Sequence, residues 1–303
     1  MSWVLIIILA YFILAIVFLV DKYLLISSIT NPKVYAFYVG SLGSVVLLAI
    51  PFVDFYVPEF PQLILALISG AIFIYALFWL YKTLRLFEVS RVVPAIGGLT
   101  PIFTFIFIYI ISFGKEVLSV FEIIAFIFLI LGSILISLKK DKFITFNSFK
   151  YSVVSAFFLS LSFILLKFVY ITQPFWNGFI WKTLGGVIMA IIFYLIFSEV
   201  RENAFKEKTK SSGKATIIFL LNQAGGAMAA ILQNWAIFLV PLASIPIINA
   251  LGGTQYVFLF LFAIILSLKF PQILKEEISK ESIFGKIIAI LLIGIGLFFL
   301  YLK

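Results

Sequence analysis

The chain has 303 residues, 64% of them hydrophobic, with a mean hydropathy of +1.24, and a soluble fold could not cover so much apolar surface with polar groups. It contains no cysteine and no histidine, which excludes disulfides, thiolate nucleophiles, imidazole bases and metal sites built on either residue. The net charge of +9 reads as loop cations facing anionic lipid headgroups, not as a nucleic-acid surface.

Ten apolar runs follow in order, each long enough to cross a hydrocarbon layer of roughly 30 Å. Met1-Ser2-Trp3 leads straight into the first, near 3–20, without a basic flank or a small-residue cleavage site, so no cleavable signal peptide is expected. Asp21 and Lys22 close that run. The second, near 33–53, carries Leu42-Gly43. The third, near 62–81, carries Gly70-Ala71, Tyr75 and Trp79. The fourth, near 92–111, holds Ala95-Ile96-Gly97-Gly98 and Thr100 between Pro94 and Pro101. The fifth lies near 120–138 and is followed by the basic linker Lys139-Lys140-Asp141-Lys142. The sixth, near 149–170, ends on Lys167, and the seventh, near 176–197, carries Lys182 and Leu184-Gly185. The polar stretch from Ser198 to Lys214 reads as a loop. The eighth, near 215–239, holds Asn222, Gln223, Gly226-Ala227, Gln233, Asn234 and Trp235. The ninth, near 242–267, holds Pro246, Asn249, Ala250-Leu251-Gly252-Gly253, Thr254 and Gln255, and the tenth lies near 283–302. The runs are continuous and do not alternate, which predicts helices over a barrel.

The second half repeats the first. Lys22 matches Lys167, Leu42-Gly43 matches Leu184-Gly185, Gly70-Ala71 matches Gly226-Ala227, and Ala95 to Gly98 matches Ala250 to Gly253. A tryptophan follows nine residues after Gly70 and again after Gly226. The offset drifts from 145 to 142 to 156 to 155 residues, which puts the insertions in loops. The loop cations change sides between the copies. The 2–3 loop has no Lys or Arg, whereas the 7–8 loop has Arg201, Lys206, Lys208, Lys210 and Lys214. The 3–4 loop has Lys82, Arg85 and Arg91, and the 8–9 loop has none. The 4–5 loop has only Lys115, against Lys269, Lys275, Lys280 and Lys286 in the 9–10 loop. Five helices per half is an odd number, so inversion follows from the count as well. The expectation is an all-α integral membrane protein of ten transmembrane helices in two inverted five-helix repeats, 1–140 and 146–303. If the cation-rich side is cytoplasmic, both termini lie outside.

Several stretches resemble the EamA-like family of the drug/metabolite transporter superfamily. Lys22 and Lys167 sit where that family often closes its first and sixth helices with lysine. ALFWLYKTLRLFEVSRVVPAIGGLTP, from Ala76 to Pro101, looks like the family's passage from third to fourth helix. Lys115-Glu116-Val117-Leu118-Ser119 and the glycine-containing helix after it resemble the end of a family repeat, with Glu277-Ile278-Ser279 opening a second copy. The resemblance implies a carrier with its cavity between helices 1, 3, 4 and 6, 8, 9, with peripheral fifth and tenth helices available for a homodimer contact. Family members usually keep both termini in the cytoplasm; here the loop charges favour the opposite.

Polar groups within hydrocarbon face a cavity or a partner helix. Gly97, Gly98 and Thr100, with Gly252, Gly253 and Gln255, fall near the middle of helices 4 and 9, where a transport site is expected. The glycines serve either close packing or cavity lining. Asn222, Gln223 and Asn249 either bind a polar solute or hydrogen-bond between helices. Tyr75 and Trp79 either stack on a flat substrate or anchor at the interface. Lys182 binds a carboxylate or phosphate, or snorkels to the headgroups; Lys167 reads as structural. Asp21, Glu88, Glu116, Glu122 and Glu277 all read as near span ends, so coupling through an intramembrane carboxylate is not expected.

The composite expectation is a plasma-membrane carrier, without cofactor, that moves a small-molecule substrate by alternating access. Export of an amino acid or similar metabolite comes first, by family precedent, and a phosphorylated or other anionic solute second. A lipid scramblase or a non-transporting scaffold is the reading from another class. An enzyme is not expected, because no nucleophile–base pair or metal cluster can be assembled from the residues.

Overall fold

The computed structural model describes residues 2–87, 89–116, 118–137, 146–203, 213–269 and 280–302. Residues 139–142, Lys206, Lys208, Lys210, Lys275, Glu88, Val117 and the Glu277-Ile278-Ser279 motif lie outside them. The described residues form helices and connecting turns, with no strand among them: α1 (Ser2–Ser27), α2 (Pro32–Leu42), a 3₁₀ stretch (Gly43–Phe52), α3 (Phe60–Leu86), α4 (Val89–Ile111), α5 (Val120–Ser137), α6 (Phe146–Thr172), α7 (Phe175–Ile196), α8 (Ser198–Asn203), α9 (Gly213–Leu239), a 3₁₀ turn (Leu242–Ser244), α10 (Ile245–Ala250), α11 (Gly253–Lys269) and α12 (Lys280–Tyr301). Eight segments are long and apolar enough to cross a membrane, and two shorter apolar helices, Val120–Leu135 and Ile287–Tyr301, accompany them. The chain is a multi-pass, all-α membrane protein.

Two segments depart from a simple rod. The second run is α-helical only to Leu42 and then 3₁₀ to Phe52. Its faster rise, about 2.0 Å per residue against 1.5 Å, lengthens the span. The ninth run breaks into the Leu242–Ser244 turn, α10 and α11, with Leu251-Gly252 as a turn between the last two. Pro246 and the glycine pair weaken helix continuity at those points.

Local chemistry sets other boundaries. Asn31 caps α2 by accepting from the Lys33 N–H at 2.9 Å, with Pro32 in the first turn. Ser119 and Glu122 form a capping box at α5: the Ser119 N–H donates to Glu122 Oε2 at 2.9 Å and the Glu122 N–H to Ser119 Oγ at 3.4 Å. Ser244 donates to the second Glu122 oxygen at 3.0 Å, tying the broken ninth run to α5.

α3 lies along α6 and α7, α1 along α9, α4 along α6 and α10, α2 along α7, and α5 along α12. Small residues permit the close approaches. Ser69 and Ser162 each donate to the other's backbone carbonyl at 2.9 Å across α3 and α6. A Cβ on Gly70 of α3 would stand 1.6 Å from the Lys182 carbonyl oxygen of α7, and one on Gly185 would stand 2.0 Å from the Leu67 oxygen. α2 and α9 instead meet through side chains at one end, Tyr35 and Tyr38 against Phe219, and line a cavity farther along, at Gly43 and Gly226.

The paired lysines have one job in two places. Lys22 donates to the Leu84, Arg85 and Phe87 carbonyls at the end of α3. Lys167 donates to the Ile237 and Phe238 carbonyls at the end of α9, at 3.2 and 3.1 Å. Each ammonium satisfies carbonyls that a helix end leaves unpaired and meets the negative end of its dipole.

Candidate functional site

A cavity of about 670 Å³ occupies the middle of the bundle. α1, α2 with its 3₁₀ extension, α3, α4, α6, α7, α9, α10 and α11 all contribute to its wall. This is broader than the family resemblance implies, because α2 and α7 take part while α6 supplies only Leu159 and Phe163. The wall is mostly apolar, so its few polar groups define what it can recognise.

Lys182 is the basic group in that wall. Its side chain is 5% exposed, and its ammonium sits 4.0 Å from the centroid of the Phe73 ring. Phe73 lies at the middle of α3. Among the described residues Lys182 has no hydrogen bond or ion pair. The snorkelling reading therefore fails. The residue enters α7 on the face that packs on α3, so its stem points inward, where the phenyl face offers an attractive partner.

Asp21 is the acidic group, and its position differs from the one read in the sequence. The first apolar run ends near residue 20, but α1 continues to Ser27 and places Asp21 inside the helix at 1% exposure. The helix survives this charged pair because both members find partners. Lys22 caps α3, while Asp21 Oδ1 accepts from the Tyr35 hydroxyl at 2.5 Å and from Asn222 Nδ2 at 2.6 Å. The Gln223 amide donates to the same hydroxyl at 3.4 Å. Tyr35 packs edge-on against Tyr81 and Phe219. Asp21 therefore sits level with Tyr81 and Lys182 level with Phe73. Eight residues of α3 separate those levels, a rise of about 12 Å.

Of the residues singled out from the sequence, Gly97, Thr100, Lys182, Gln223, Asn249, Gly252 and Gln255 line the cavity. Thr100 donates to the Ile96 carbonyl at 2.7 Å, as threonine commonly does within a helix. Asn249 donates to Thr104 at 2.9 Å, and among the described residues its buried Oδ1 and the buried Gln255 Nε2 have no hydrogen-bond partner. Gly97 has no room for a side chain, since a Cβ would lie 1.5 Å from the Tyr256 hydroxyl, which donates to the Val93 carbonyl at 3.0 Å.

The other five stand elsewhere. Gly98 and Gly253 turn toward α5 and α12: the nearest neighbour of a Gly98 Cβ would be Ile134, and that of a Gly253 Cβ would be Ser133. The second glycine of each pair thus serves packing, the first the cavity. Asn222 lies behind the wall and holds Asp21. Tyr75 and Trp79 pack against Phe158 and Tyr151 on the α6 side, and Lys82 covers the Trp79 ring at 4.6 Å. Sequence reading missed Tyr11, which lines the cavity and donates to the Ile248 carbonyl at 3.0 Å, and also Tyr35, Tyr81 and Tyr256. Nothing in the local sequence separates these tyrosines from the others. Asp21 alone carried a signal, a carboxylate inside an apolar stretch.

No family model matches the chain and no curated protein matches it. One solved structure, described only as "Crystal structure of protein", is similar with a TM-score of 0.65 at 14% identity. The match covers 97% of this chain and 96% of that one. At that identity the likeness establishes the path of the backbone and nothing about chemistry, so the chain shares its whole fold with a protein of known structure.

Proposed function

We propose that the protein is a carrier of the EamA-like type, with ten membrane spans in two inverted halves, moving a small amphipathic metabolite across the plasma membrane by alternating access. The observation that carries this reading is the cavity at mid-bundle, apolar over most of its wall, with the Lys182 ammonium in it, which has no hydrogen bond or ion pair among the described residues. A packed scaffold has little use for a buried cation met by a phenyl face alone, because the ring offsets only part of its desolvation. An arriving anionic group would compensate it.

The arrangement of the helices supports the inverted halves. Exchanging first-half helices for their second-half counterparts turns the α3–α6 contact into the α9–α1 contact and leaves α5–α12 unchanged. The same exchange turns the Lys22 cap on α3 into the Lys167 cap on α9. The match is not complete: α3 and α7 are sealed through Gly70 and Gly185, while α9 and α2 meet at one end through the Phe219, Tyr35 and Tyr38 side chains, without so close a backbone approach at Gly226. A carrier caught with one seam closed and the equivalent seam open has this asymmetry. The loop cations favour the end of the bundle bearing Lys33 and Arg201 as the cytoplasmic one, with both termini outside.

For the substrate, Lys182 raises the anionic reading to equal standing with export of an amino acid. The roughly 12 Å rise between the levels of Lys182 and Asp21 is too long for the two to grip the ammonium and carboxylate of one α-amino acid. Lys182 therefore takes a carboxylate or phosphate head, and the apolar wall takes the rest. The test is counterflow in proteoliposomes with labelled aromatic and aliphatic amino acids, nucleosides, sugar phosphates and organic cations. Saturable exchange of one class supports the carrier and names its substrate; silence across the panel from folded protein refutes it.

A further inference from the structure

We propose that Asp21 is a proton-binding site whose occupancy controls the seam between α2 and α9. The proposal rests on the carrier reading above and adds the coupling ion to it. The argument begins with the hydrogen bonds. Both donors converge on one oxygen, Oδ1: the Tyr35 hydroxyl from α2 and the Asn222 amide from α9. Oδ2 accepts nothing among the described residues, and Asp21 belongs to the cavity wall. A proton that reaches the cavity therefore has one open oxygen to bind.

The surroundings leave the proton as the simplest ligand. From α2 the titratable group facing Asp21 is Tyr35, and from α3 it is Tyr81, whose ring packs on Tyr35 at 4.7 Å. α9 brings the neutral amides of Asn222 and Gln223. α4 and α11 bring no acidic or basic side chain among the described ones, and Tyr256 of α11 is engaged with Val93. The neighbouring Lys22 turns away to the end of α3. No cation pairs with Asp21 among the described residues. Because the donors that meet Oδ1 are a hydroxyl and an amide, they do not neutralise the carboxylate.

The consequence follows from hydrogen-bond chemistry. As a carboxylate, Asp21 receives two short, charge-assisted bonds, each roughly twice as strong as its neutral equivalent. These tie α2 and α9 to α1 at one end of a seam that is otherwise open along Gly43 and Gly226. A proton from water binds Oδ2, the carboxylate becomes a neutral acid, and both bonds at Oδ1 weaken together. α2 is then released from α9, and loss of the proton to the other side restores the tie. No second reactant is required.

Because the chain has no cysteine, spin labels can be placed without background at Leu48→Cys on the 3₁₀ stretch and Met228→Cys on α9, both exposed. Pulsed electron paramagnetic resonance in nanodiscs then reads the distance across the seam with no substrate present. The expected result is a short-distance population at pH 8 that gives way to a longer one at pH 5. Asp21→Asn should hold the long-distance population at both pH values, and Asp21→Glu should keep the pH response. If Asp21→Asn fails to fold, Tyr35→Phe serves, since it removes the α2 donor and should also abolish the response. Identical distributions at both pH values overturn the proposal, as does a shift that persists in Asp21→Asn. A shift produced by sodium at fixed pH 8 overturns it in favour of a cation site. Silent counterflow alongside an intact pH response would fault the carrier reading and leave the proton site standing.

Discussion

Replacing Gly70 by alanine tests whether the α3–α7 seam is sealed as tightly as it stands here. The new Cβ would lie 1.6 Å from the Lys182 carbonyl oxygen, and ordinary contact begins at 3.4 Å. The helices must part by up to about 1.8 Å, because the obstruction is backbone and cannot rotate away; overpacking of this kind typically costs about 1–3 kcal/mol. At about 1.4 kcal/mol per decade, the sealed arrangement loses roughly 5- to 150-fold in population relative to the alternative in which the seam is open. Gly226→Ala is the matched control, since its Cβ would meet only Val17 at 3.8 Å. If the seams exchange during transport, Gly226→Ala leaves thermal stability in this state near native and still slows counterflow, by blocking closure of α9 on α2. Melting in detergent and counterflow turnover measure both variants. Native melting and turnover for Gly70→Ala would refute the tight seam, and native turnover for Gly226→Ala would refute the exchange.

Gly97→Ala drives a methyl into the Tyr256 hydroxyl and should destabilise the fold by about 1–3 kcal/mol, whereas Gly98→Ala meets nothing closer than Ile134 at 3.9 Å and should be silent; denaturant titration separates the two. Lys182→Gln should weaken anionic substrates at least tenfold, about 1.4 kcal/mol for one charged contact, and leave neutral ones nearly unchanged in counterflow competition. Lys22→Met and Lys167→Met each remove charged bonds to helix-end carbonyls, worth about 1.5–3 kcal/mol, and should lower the melting temperature to a similar extent as one another. Unequal losses would argue that the two caps are not equivalent.

Much of the frame is legible in the sequence because spanning a bilayer demands long apolar runs; eight segments of the structure are long and apolar enough to cross a membrane, and shorter apolar helices fall on the fifth and tenth runs. The paired lysines were equally readable, since a cation at a span end has few uses besides headgroups and carbonyls. Side-chain direction was not legible. Gly97 and Gly98 are chemically identical in sequence, and only the approach of Tyr256 from α11 distinguishes them. Lys182 could be assigned to lipid or cavity only once α7 was turned against α3. Asp21 was misplaced because a charged pair was taken to end α1. Its compensation comes from Tyr35 and Asn222, which are 14 and 201 residues away, and contacts at that separation leave no trace in local pattern.

The break in the ninth run has a further consequence. Its counterpart, α4, passes through Ala95 to Gly98 without interruption, while the matching Ala250 to Gly253 breaks at the Leu251-Gly252 turn between α10 and α11. Two identical halves would make the inward- and outward-open forms equal in free energy, and the empty protein would dwell equally in each. If the halves are the inverted repeats of a carrier, the joint at Leu251-Gly252 in one and the buried Asp21 carboxylate in the other remove that degeneracy. On the carrier reading, an imbalance of about 1.4 kcal/mol would be enough for a tenfold preference, so the resting protein would present itself mainly to one compartment, chosen by the divergence between the halves.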